Sequence, residues 1–290
     1  MFDISVVVVT YDSADVVDAF LASVHAASAE PVALTVVDNG SVDGTLERLD
    51  AHAGCEVIRA PSNGGYGTGA NLGVRASATA WVVVANPDIV FHPGCLDELL
   101  AVSRRWPRAG ALGPRILTAD GRLYPSAREL PSLGRGIGHA TFGWFWPTNP
   151  WTQSYRRERG KPVEDRVGWL SGACLMVRRE GFDAVGGFDE SYFMYFEDVD
   201  LCERLAQVGW DIVYAPSASI EHVGGHSASR NLVGMSRTHH DSAYLYLSRR
   251  YAGARWLPVR GALRAGLWAR FSLSKVLERV AHGAEPTRPA

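Results

Sequence analysis

Three polar groups in the N-terminal third of the chain each follow a short apolar run, a placement that suits ligand binding. Carboxylate and amide side chains at such points can hydrogen-bond a nucleobase and a ribose, and an aspartate can also hold a divalent cation through its oxygens. Each group taken alone is also explained as a turn. The groups are Thr10-Tyr11, Asp38-Asn39-Gly40-Ser41 and Asn86-Pro87-Asp88.

A second candidate for chemistry is the acidic pair Glu197-Asp198, which follows an aromatic run at the start of a predicted helix. Acids in a first helical turn favour the helix dipole, so capping alone would account for them. A carboxylate enclosed by aromatic rings lies in a low dielectric, which raises its pKa toward that of a general base. His222, further along the chain, is either a surface histidine or a metal ligand.

Several common nucleotide-binding and hydrolytic motifs are missing from the sequence. Neither of the two lysines, Lys161 and Lys275, stands in the Gly-Lys-Ser/Thr context of a P-loop. The first strand-to-helix turn has no glycine, which argues against a dinucleotide fingerprint. The Gly-x-Ser-x-Gly elbow of the α/β-hydrolases is also missing, so a serine hydrolase has little support.

The composition is that of a folded protein whose charge is unevenly distributed. The 290 residues are 47% hydrophobic and 21% charged, with a formal net charge of −2. This balance excludes disordered and collagen-like chains and does not suggest a nucleic-acid partner. From residue 249 onward, however, nine basic residues stand against two acidic ones. Such a basic tail can be drawn to an anionic surface.

The cysteines and the apolar runs indicate an intracellular protein without a membrane-spanning helix. The four cysteines have neither metal-finger nor thioredoxin spacing, which fits a reducing cytosol. The N-terminus has no basic region or cleavage site of a signal peptide. No apolar run reaches the roughly 18 residues that a membrane-spanning helix needs. We therefore expect a soluble or peripheral protein.

Short β-branched runs alternate with longer mixed segments in the first hundred residues, which predicts an α/β fold with a mostly parallel sheet. The predicted strands are Ile4–Val9, Leu34–Val37, Glu56–Arg59, Trp81–Ala85 and Asp211–Tyr214, and regular structure is also expected at Val167–Val177. The predicted helices run from Asp12 or Ser13 to about Ala27, over Asp43–His52, after the glycine-rich segment Asn63–Gly73, over Val199–Val208 and near Thr238–Arg250.

Taken together and in order, these motifs resemble the family-two glycosyltransferases, inverting enzymes of the GT-A fold that use nucleotide sugars. The motifs are Thr10-Tyr11, Asp38-Asn39-Gly40-Ser41, Asn63-x-Gly65-Tyr66-Gly67-x-Gly69-x-Asn71-x-Gly73, Asn86-Pro87-Asp88, Gly172 and Glu197-Asp198-x-Asp200. Further segments are similar to the rhamnosyltransferase branch of this family. They are Trp106–Pro114, Tyr124–Arg128, Phe145–Trp151, Gly168–Gly172 and Tyr192–Tyr195.

The resemblance implies a role for each matching residue. Asp198 corresponds to the catalytic base of the family, and Glu197 beside it would orient the acceptor or the diphosphate. Thr10 and Tyr11 would frame the base and ribose of the donor, with Asp38 on the pyrimidine. The donor-binding residues so implied are Thr10, Tyr11, Asp38, Asn39, Asn63, Gly65, Tyr66, Asn71, Asn86 and Asp88. The acceptor-binding residues so implied are Trp169, Ser171, Gly172 and Tyr195.

The resemblance also implies a divalent metal, Mg²⁺ or Mn²⁺, held by Asp88 and His222. Asp88 takes the place of the last acid in the family's Asp-x-Asp motif. Asn86 stands where that motif has its first acid, which removes one charge from the site. The implied reaction transfers L-rhamnose from dTDP-rhamnose to N-acetylglucosaminyl-diphospho-polyprenol. Another nucleotide-sugar donor with a polysaccharide acceptor, or a non-catalytic sugar-nucleotide-binding protein, are the alternatives.

We predict one GT-A domain over residues 1–250 followed by a basic, membrane-associating helical tail over 251–290. Within the domain, 1–117 would bind the nucleotide sugar, 118–165 would form an aromatic lid or excursion, and 166–250 would carry the acceptor site. The expected location is the cytoplasm, peripheral at the inner face of the plasma membrane. The sequence leaves the oligomeric state open.

Overall fold

In a computed structural model, residues 3–131, 162–223 and 232–268 of the chain are described. The strands are β1 Ile4–Thr10, β2 Ala33–Asp38, β3 Cys55–Arg59, β4 Trp81–Ala85, β5 Ile89–Phe91, β6 Ala109–Thr118, β7 Leu123–Tyr124, β8 Ala127–Arg128, β9 Asp165–Arg166, β10 Trp169–Leu170, β11 Cys174–Arg178 and β12 Asp211–His222. The helices are α1 Val17–Ala26, α2 Thr45–Ala51, α3 Tyr66–Ala76, α4 Cys95–Arg105, α5 Arg179–Ala184, α6 Glu197–Gln207, α7 Leu232–Arg250 and α8 257–268.

The central sheet has the order β3-β2-β1-β4-β11-β6-β12-β5. The four strands from β3 to β4 pair in parallel, and so do β6 and β12, whereas β11 runs antiparallel to both of its neighbours. The predicted α/β class with a GT-A-like central sheet is therefore confirmed. The parallel half joins its strands through helices, so the carboxyl ends of β1, β2 and β4 lie along one edge.

Apolar residues of the sheet alternate between two buried layers. Val6 and Val8 pack with helices α1 and α4 on one face, while Val7 and Val9 pack with α3, α5, α6 and α7 on the other. Coverage of both faces explains why β1 and β4 are continuous apolar runs rather than alternating ones. All seven residues of β1 are buried, and this strand positions the first polar group.

The glycine-rich segment Asn63–Gly73 was predicted to precede a helix, and this prediction was wrong, because helix α3 begins within it at Tyr66. Its glycines let the helix approach the sheet closely. A Cβ atom on Gly73 would lie 2.3 Å from Val7 Cγ1, and one on Gly69 would lie 2.8 Å from Val9 Cγ1. Low helix propensity hid the helix from a sequence interpretation, and close packing compensates for it.

Strand β12 is longer than the predicted strand Asp211–Tyr214, because it continues to His222 past a shift of register between Ala215 and Ser219. This extension lets β12 pair with β5, with His222 opposite Ile89. Helix α4 and strand β6 were not predicted. Helix α7 also begins earlier than expected, at Leu232 rather than near Thr238.

Most of the aromatic segment 118–165 lies outside the described residues, as does the tail beyond 268. The described flanks of that segment form the short strands β7, β8 and β9. The tail begins with a helical stretch, in which Leu257 and Trp268 are exposed. Among the helices that the structure describes, none is long and apolar enough to cross a membrane.

Candidate active site

Thr10 and Asp38 stand side by side at the carboxyl ends of β1 and β2. The hydroxyl of Thr10 donates to Asp38 Oδ1 over 3.0 Å, and the backbone N–H groups of Gly40 and Ser41 donate to Asp38 Oδ2 over 3.0 Å each. Ser41 Oγ also donates to Asp38 Oδ1 over 2.5 Å. The buried Asp38 carboxylate thereby orders the turn after β2. Tyr11, next to Thr10, is exposed at the same edge.

The glycine-rich segment is joined to this turn by two asparagines. Asn39 Nδ2 donates to Gly65 O over 3.1 Å, and Gly65 N donates to Asn63 Oδ1 over 3.0 Å. Gly65 has φ +92, and a Cβ atom there would lie 2.0 Å from Phe193 O, so only glycine fits. The structure thus brings Asn39, Asn63 and Gly65 together with the Asp38 turn, as the sequence predicted for one binding edge.

Asn71 lies in the middle of α3, and its buried amide points to a different segment. Nδ2 donates to Phe188 O over 2.9 Å and Phe188 N donates to Oδ1 over 2.9 Å. The Asn71 amide therefore binds both backbone groups of Phe188, in the turn before the aromatic run. Nδ2 also donates to Glu190 Oε1 over 3.0 Å. Its side chain is therefore engaged within the protein, and direct donor binding by Asn71 stays a prediction.

Asp88 and His222, the two predicted metal ligands, are in contact. His222 Nε2 lies 3.1 Å from Asp88 Oδ1, and Val223 N donates to Asp88 O over 3.0 Å. The long β12 brings the two residues together across 134 positions of sequence. The backbone N–H of Asn86 donates to Ala173 O over 3.0 Å. The edge of the Tyr124 ring faces His222 at 6.4 Å between ring centres.

The donor set of this pair fits a hard divalent cation, with one carboxylate oxygen and one imidazole nitrogen at contact distance. Asn86, two residues before Asp88, carries an uncharged amide rather than a carboxylate. Within 3–131, 162–223 and 232–268, no cluster of three or more His, Cys, Asp or Glu residues could hold a metal. A cation held by this pair would need further ligands from outside it.

Asp198 lies in the first turn of α6 and is held by backbone groups. Gly172 N donates to Asp198 Oδ2 over 2.8 Å and Val199 N donates to Oδ1 over 2.8 Å. Burial raises the pKa of Asp198 above its usual value, while these two N–H groups and the charge of Arg128 act in the opposite direction. A carboxylate held in this way has a stronger affinity for protons than an exposed aspartate.

Glu197 is buried, with 6% of its surface exposed, and its Oε2 accepts no hydrogen bond from the residues that the structure describes. Burial and then the charge of Asp198 raise the pKa of Glu197 to about 8. Two adjacent buried carboxyl groups hold one proton more firmly than either alone. Because backbone N–H groups stabilise the charge on Asp198, Glu197 takes the proton. Asp198 therefore loses its proton more readily than Glu197 does.

The loop before Glu197 has an unusual backbone. Tyr195 and Phe196 have φ +69 and +67, the left-handed region that these residues seldom adopt. Helix α7 packs against the loop, with the His239 ring 5.3 Å from that of Tyr195 and 5.6 Å from that of Phe196. Ser242 Oγ donates to Met194 O over 2.8 Å. Strain of this kind persists at functional sites when packing over-determines it.

Tyr66 joins the glycine-rich segment to Asp198, a connection that the sequence did not reveal. Tyr66 N donates to Phe193 O over 3.0 Å, and its hydroxyl donates to Gly172 O over 2.7 Å. Burial raises the pKa of Tyr66 well above its usual value, so the hydroxyl keeps its proton. Tyr66 and Asp198 therefore hold opposite sides of the same residue, Gly172.

The remaining acceptor candidates line the strand that leads to Gly172. Trp169 is 9% exposed and its Nε1 donates to Glu129 O over 3.1 Å. Ser171 N donates to Ser126 O over 2.8 Å. No role was predicted for Arg128, although it ends the motif Tyr124–Arg128, and the structure places this arginine opposite Trp169. Acceptor contact by Trp169, Ser171, Gly172 and Tyr195 stays a prediction.

A GT-A-like sheet with polar groups at its carboxyl edge and a buried carboxyl pair beside them is the arrangement of a nucleotide-sugar glycosyltransferase. The chain belongs to this class, because the model of Glycosyl transferase family 2 matches residues 5–186. Over 92% of this chain and 91% of the relative, it is 48% identical to an N-acetylglucosaminyl-diphospho-decaprenol L-rhamnosyltransferase of Mycobacterium tuberculosis. The predicted membership of family two is therefore confirmed.

Solved structures share the fold at low sequence identity. TarS 1-349 of S. aureus in complex with UDP matches 93% of this chain and 71% of its own, with a TM-score of 0.57 and 16% identity. GalNAc-T7 with UDP, GalNAc and Mn²⁺ matches 77% of this chain with a TM-score of 0.56 and 15% identity. This chain spans 44% of that structure. These likenesses bear on the fold alone.

Proposed function

We propose that this glycosyltransferase moves L-rhamnose from dTDP-rhamnose to N-acetylglucosaminyl-diphospho-polyprenol, a step of cell-wall linker synthesis, with inversion at the anomeric carbon. The observation that carries the proposal is the 48% identity to the decaprenol-linked rhamnosyltransferase of Mycobacterium tuberculosis, which extends over 92% of the chain. An alignment of this length spans the Glu197-Asp198 pair and the carboxyl ends of β2 and β4, to which the proposal assigns acceptor and donor.

The proposed reaction is a single displacement in which Asp198 is the base. An acceptor hydroxyl gives its proton to the Asp198 carboxylate as its oxygen bonds to the anomeric carbon of rhamnose. The bond from that carbon to the donor diphosphate breaks, and dTDP leaves with the electron pair. Support comes from the Gly172 and Val199 N–H groups, which keep Asp198 ionised and fix its orientation. A positioned base is typically worth about 10²- to 10⁴-fold in rate.

Asp88 and His222 are the residues that would hold a divalent metal, Mg²⁺ or Mn²⁺, together with the donor diphosphate. Such an ion supplies charge neutralisation for the leaving diphosphate. The contact of 3.1 Å between the two side chains supports this assignment. Asp88 and His222 would also orient the diphosphate relative to Asp198, and Asn86 would add an uncharged contact beside them.

The edge formed by Thr10, Tyr11 and the Asp38 turn would hold the thymidine of the donor. Asp38 uses its carboxylate to order that turn, so the exposed Tyr11 and Gly40 are the residues that reach the surface there. In this proposal Asp38, Asn39 and Asn63 shape the nucleotide site. Gly65 and Tyr66 connect it to the acid pair.

The basic tail would attach the enzyme to anionic lipid at the cytoplasmic face of the plasma membrane, where its acceptor is located. Arg255, Arg260 and Arg264 lie in the first part of the tail, together with the exposed Leu257 and Trp268. Basic side chains interleaved with exposed apolar ones are typical of helices that lie on membranes. Vesicle binding that survives deletion of residues 254–290 would contradict this part of the proposal.

The test is release of nucleoside diphosphate from a panel of sugar nucleotides, with Mg²⁺, Mn²⁺ or EDTA, with and without N-acetylglucosaminyl-diphospho-polyprenol. We expect release from dTDP-rhamnose that needs both the acceptor and the metal. Release from another donor would keep the fold class and the base while overturning the choice of rhamnose. Equal release in EDTA would overturn the metal assignment.

A further inference from the structure

The segment Tyr124–Arg128 contains a basic side chain that the proposed mechanism does not use. Arg128 ends strand β8, which pairs antiparallel with β10 so that Arg128 lies opposite Trp169. Gly168 N donates to Arg128 O over 2.9 Å, and Ser171 N donates to Ser126 O over 2.8 Å. The backbone that carries Arg128 is therefore fixed to the same strand that leads to Gly172 and the proposed base.

Two aromatic rings and a carbonyl orient the guanidinium of Arg128. Its Cζ atom lies 5.3 Å from the centre of the Trp169 ring and 5.8 Å from that of Tyr124. Its Nε donates to Pro125 O over 2.7 Å. Contacts of this kind hold a planar cation in place, and a guanidinium matches the oxygens of a phosphate with its fork of N–H donors.

Arg128 is close enough to Asp198 to act on it electrostatically, because its charge lowers the pKa of that carboxyl against the effect of burial. The two hydrogen bonds that Asp198 accepts in the described structure nevertheless come from the backbone of Gly172 and Val199. The base and the cation thus lie near each other but are held by different groups.

The Tyr124 ring stands between Arg128 and the candidate metal pair. Its centre is 5.8 Å from Arg128 Cζ and 6.4 Å from the centre of the His222 ring. The guanidinium of Arg128 and the candidate metal pair are therefore two separate places, with a neutral aromatic ring between them. A reaction between a nucleotide sugar and a lipid-linked sugar brings together two diphosphates whose charges repel each other, which requires such a separation.

We propose that Arg128 binds the diphosphate of the lipid-linked acceptor. This inference rests on the proposed function, in which the acceptor carries its reacting hydroxyl and its diphosphate on one hexose ring. In the proposed arrangement that hydroxyl is at Asp198, and the diphosphate, about one sugar ring away, is at Arg128. Asp88 and His222 serve the other diphosphate, that of the donor.

The test compares Arg128→Gln and Arg128→Lys with Arg122→Gln, a matched loss of charge at an exposed arginine of the same region. The measurements are the KM for a short-chain N-acetylglucosaminyl-diphospho-polyprenol and the dissociation constant of dTDP. For Arg128→Gln we expect the acceptor KM to rise roughly 10- to 100-fold with dTDP binding unchanged, the size of a lost hydrogen bond to a charged group.

Arg128→Lys should give an intermediate rise, since lysine keeps the charge without the planar fork, and Arg122→Gln should match the wild type. Loss of the positive charge should also shift the acid limb of the rate profile of Arg128→Gln to higher pH, because that charge lowers the pKa of Asp198. Unchanged dTDP binding reports a folded protein, and Arg128→Lys provides a second variant that keeps the aromatic contacts.

An unchanged acceptor KM in both Arg128 variants would overturn the inference. Weaker dTDP binding without a change in acceptor KM would also overturn it, because the guanidinium would then belong to the donor diphosphate. If the wild-type protein transfers no rhamnose to this acceptor, the proposed function fails and the inference falls with it. If the wild type does transfer rhamnose, the proposed function stands, and the acceptor KM of the Arg128 variants alone decides whether Arg128 binds the acceptor diphosphate.

Discussion

Gly172 N donates a hydrogen bond of 2.8 Å to Asp198 Oδ2, and Gly172 O accepts one of 2.7 Å from the Tyr66 hydroxyl. A single residue on the acceptor side of the sheet therefore positions the proposed base and is itself fixed by the glycine-rich segment. A Cβ atom at position 172 would lie 3.3 Å from Asp198 Cβ. Because residue 172 is a glycine, the Asp198 carboxylate can come close enough to accept the hydrogen bond from its backbone N–H.

Asp198→Asn should reduce turnover by about 10²- to 10⁴-fold, because the amide cannot take the acceptor proton. Binding of dTDP should change little, since Asp198 contacts Gly172 and Val199 rather than the donor edge. The measurement is steady-state transfer together with equilibrium nucleotide binding. The control is Asp183→Asn, an exposed carboxylate on α5 that pairs with Arg179. Near-normal turnover in Asp198→Asn would refute the role of base.

Tyr66→Phe should lower kcat with little effect on the KM for donor, because it removes the bond to Gly172 O while keeping the ring against Phe188. A neutral hydrogen bond contributes about 0.5–1.5 kcal/mol, so we expect a decrease of roughly 2- to 10-fold. Tyr244→Phe, on α7, is the matched control. An increase in donor KM alone would instead indicate that Tyr66 contacts the nucleotide sugar.

Glu197→Gln should become increasingly stable relative to the wild type as the pH rises. Burial raises the folded-state pKa of Glu197 from 4.5 to about 8, so the folded protein binds the extra proton between these values. Stability contributed by the neutral form is complete below pH 4.5 and decreases as the pH rises toward 8. Glutamine does not titrate and loses no stability in this way. The free energy of unfolding of Glu197→Gln, relative to that of the wild type, should therefore grow by up to about 1.4 kcal/mol per pH unit.

Urea unfolding of both proteins at several pH values across this window would measure the effect. The acid limb of the rate profile should stay in place in Glu197→Gln, because Glu197 is already neutral where Asp198 titrates. If the two stability curves run parallel from pH 5 to pH 8, Glu197 is ionised in the folded protein and the assignment of the shared proton to it is wrong.

His222→Ala should increase the concentration of Mg²⁺ or Mn²⁺ needed for half-maximal activity. Loss of a partner that only supports a metal ligand typically costs 10- to 100-fold in affinity, and loss of a ligand should cost at least about that much. Titration of metal into the EDTA-treated enzyme measures it. His92→Gln is a suitable control, because His92 contacts Ser219 instead, at 2.9 Å. An unchanged metal requirement would contradict the pairing of His222 with Asp88 as ligands.

Gly73→Ala should destabilise the fold by about 1–3 kcal/mol, since the added methyl group would overpack the contact of α3 with Val7. Gly261→Ala should have the opposite sign, with a gain of up to about 1 kcal/mol, because α8 is open to solvent there and alanine favours a helix. Denaturant unfolding measures the change in the free energy of unfolding for both variants. Equal effects at the two positions would contradict close packing of the glycine-rich helix.

The sequence predicted much of the site because strand ends and polar groups are local features. Thr10, Asp38 and Asp88 each follow an apolar run, and parallel strands bring such positions to one edge. The glycine-rich helix was misjudged because its stability comes from close contact with Val7 and Val9, which no local propensity expresses. The full length of β12 was missed because its register shift and its pairing with β5 are non-local.

By itself, then, the sequence determined the fold class, the family and the candidate residues, since these depend on residue types and their spacing along the chain. Tertiary structure alone decided which of them meet and which state they adopt. His222 reaches Asp88 only through the extended β12, and Asn71 is engaged by the turn at Phe188. Glu197 and Asp198 differ in protonation because one carboxyl group is buried without donors and the other accepts two backbone N–H groups, an environment that folding creates.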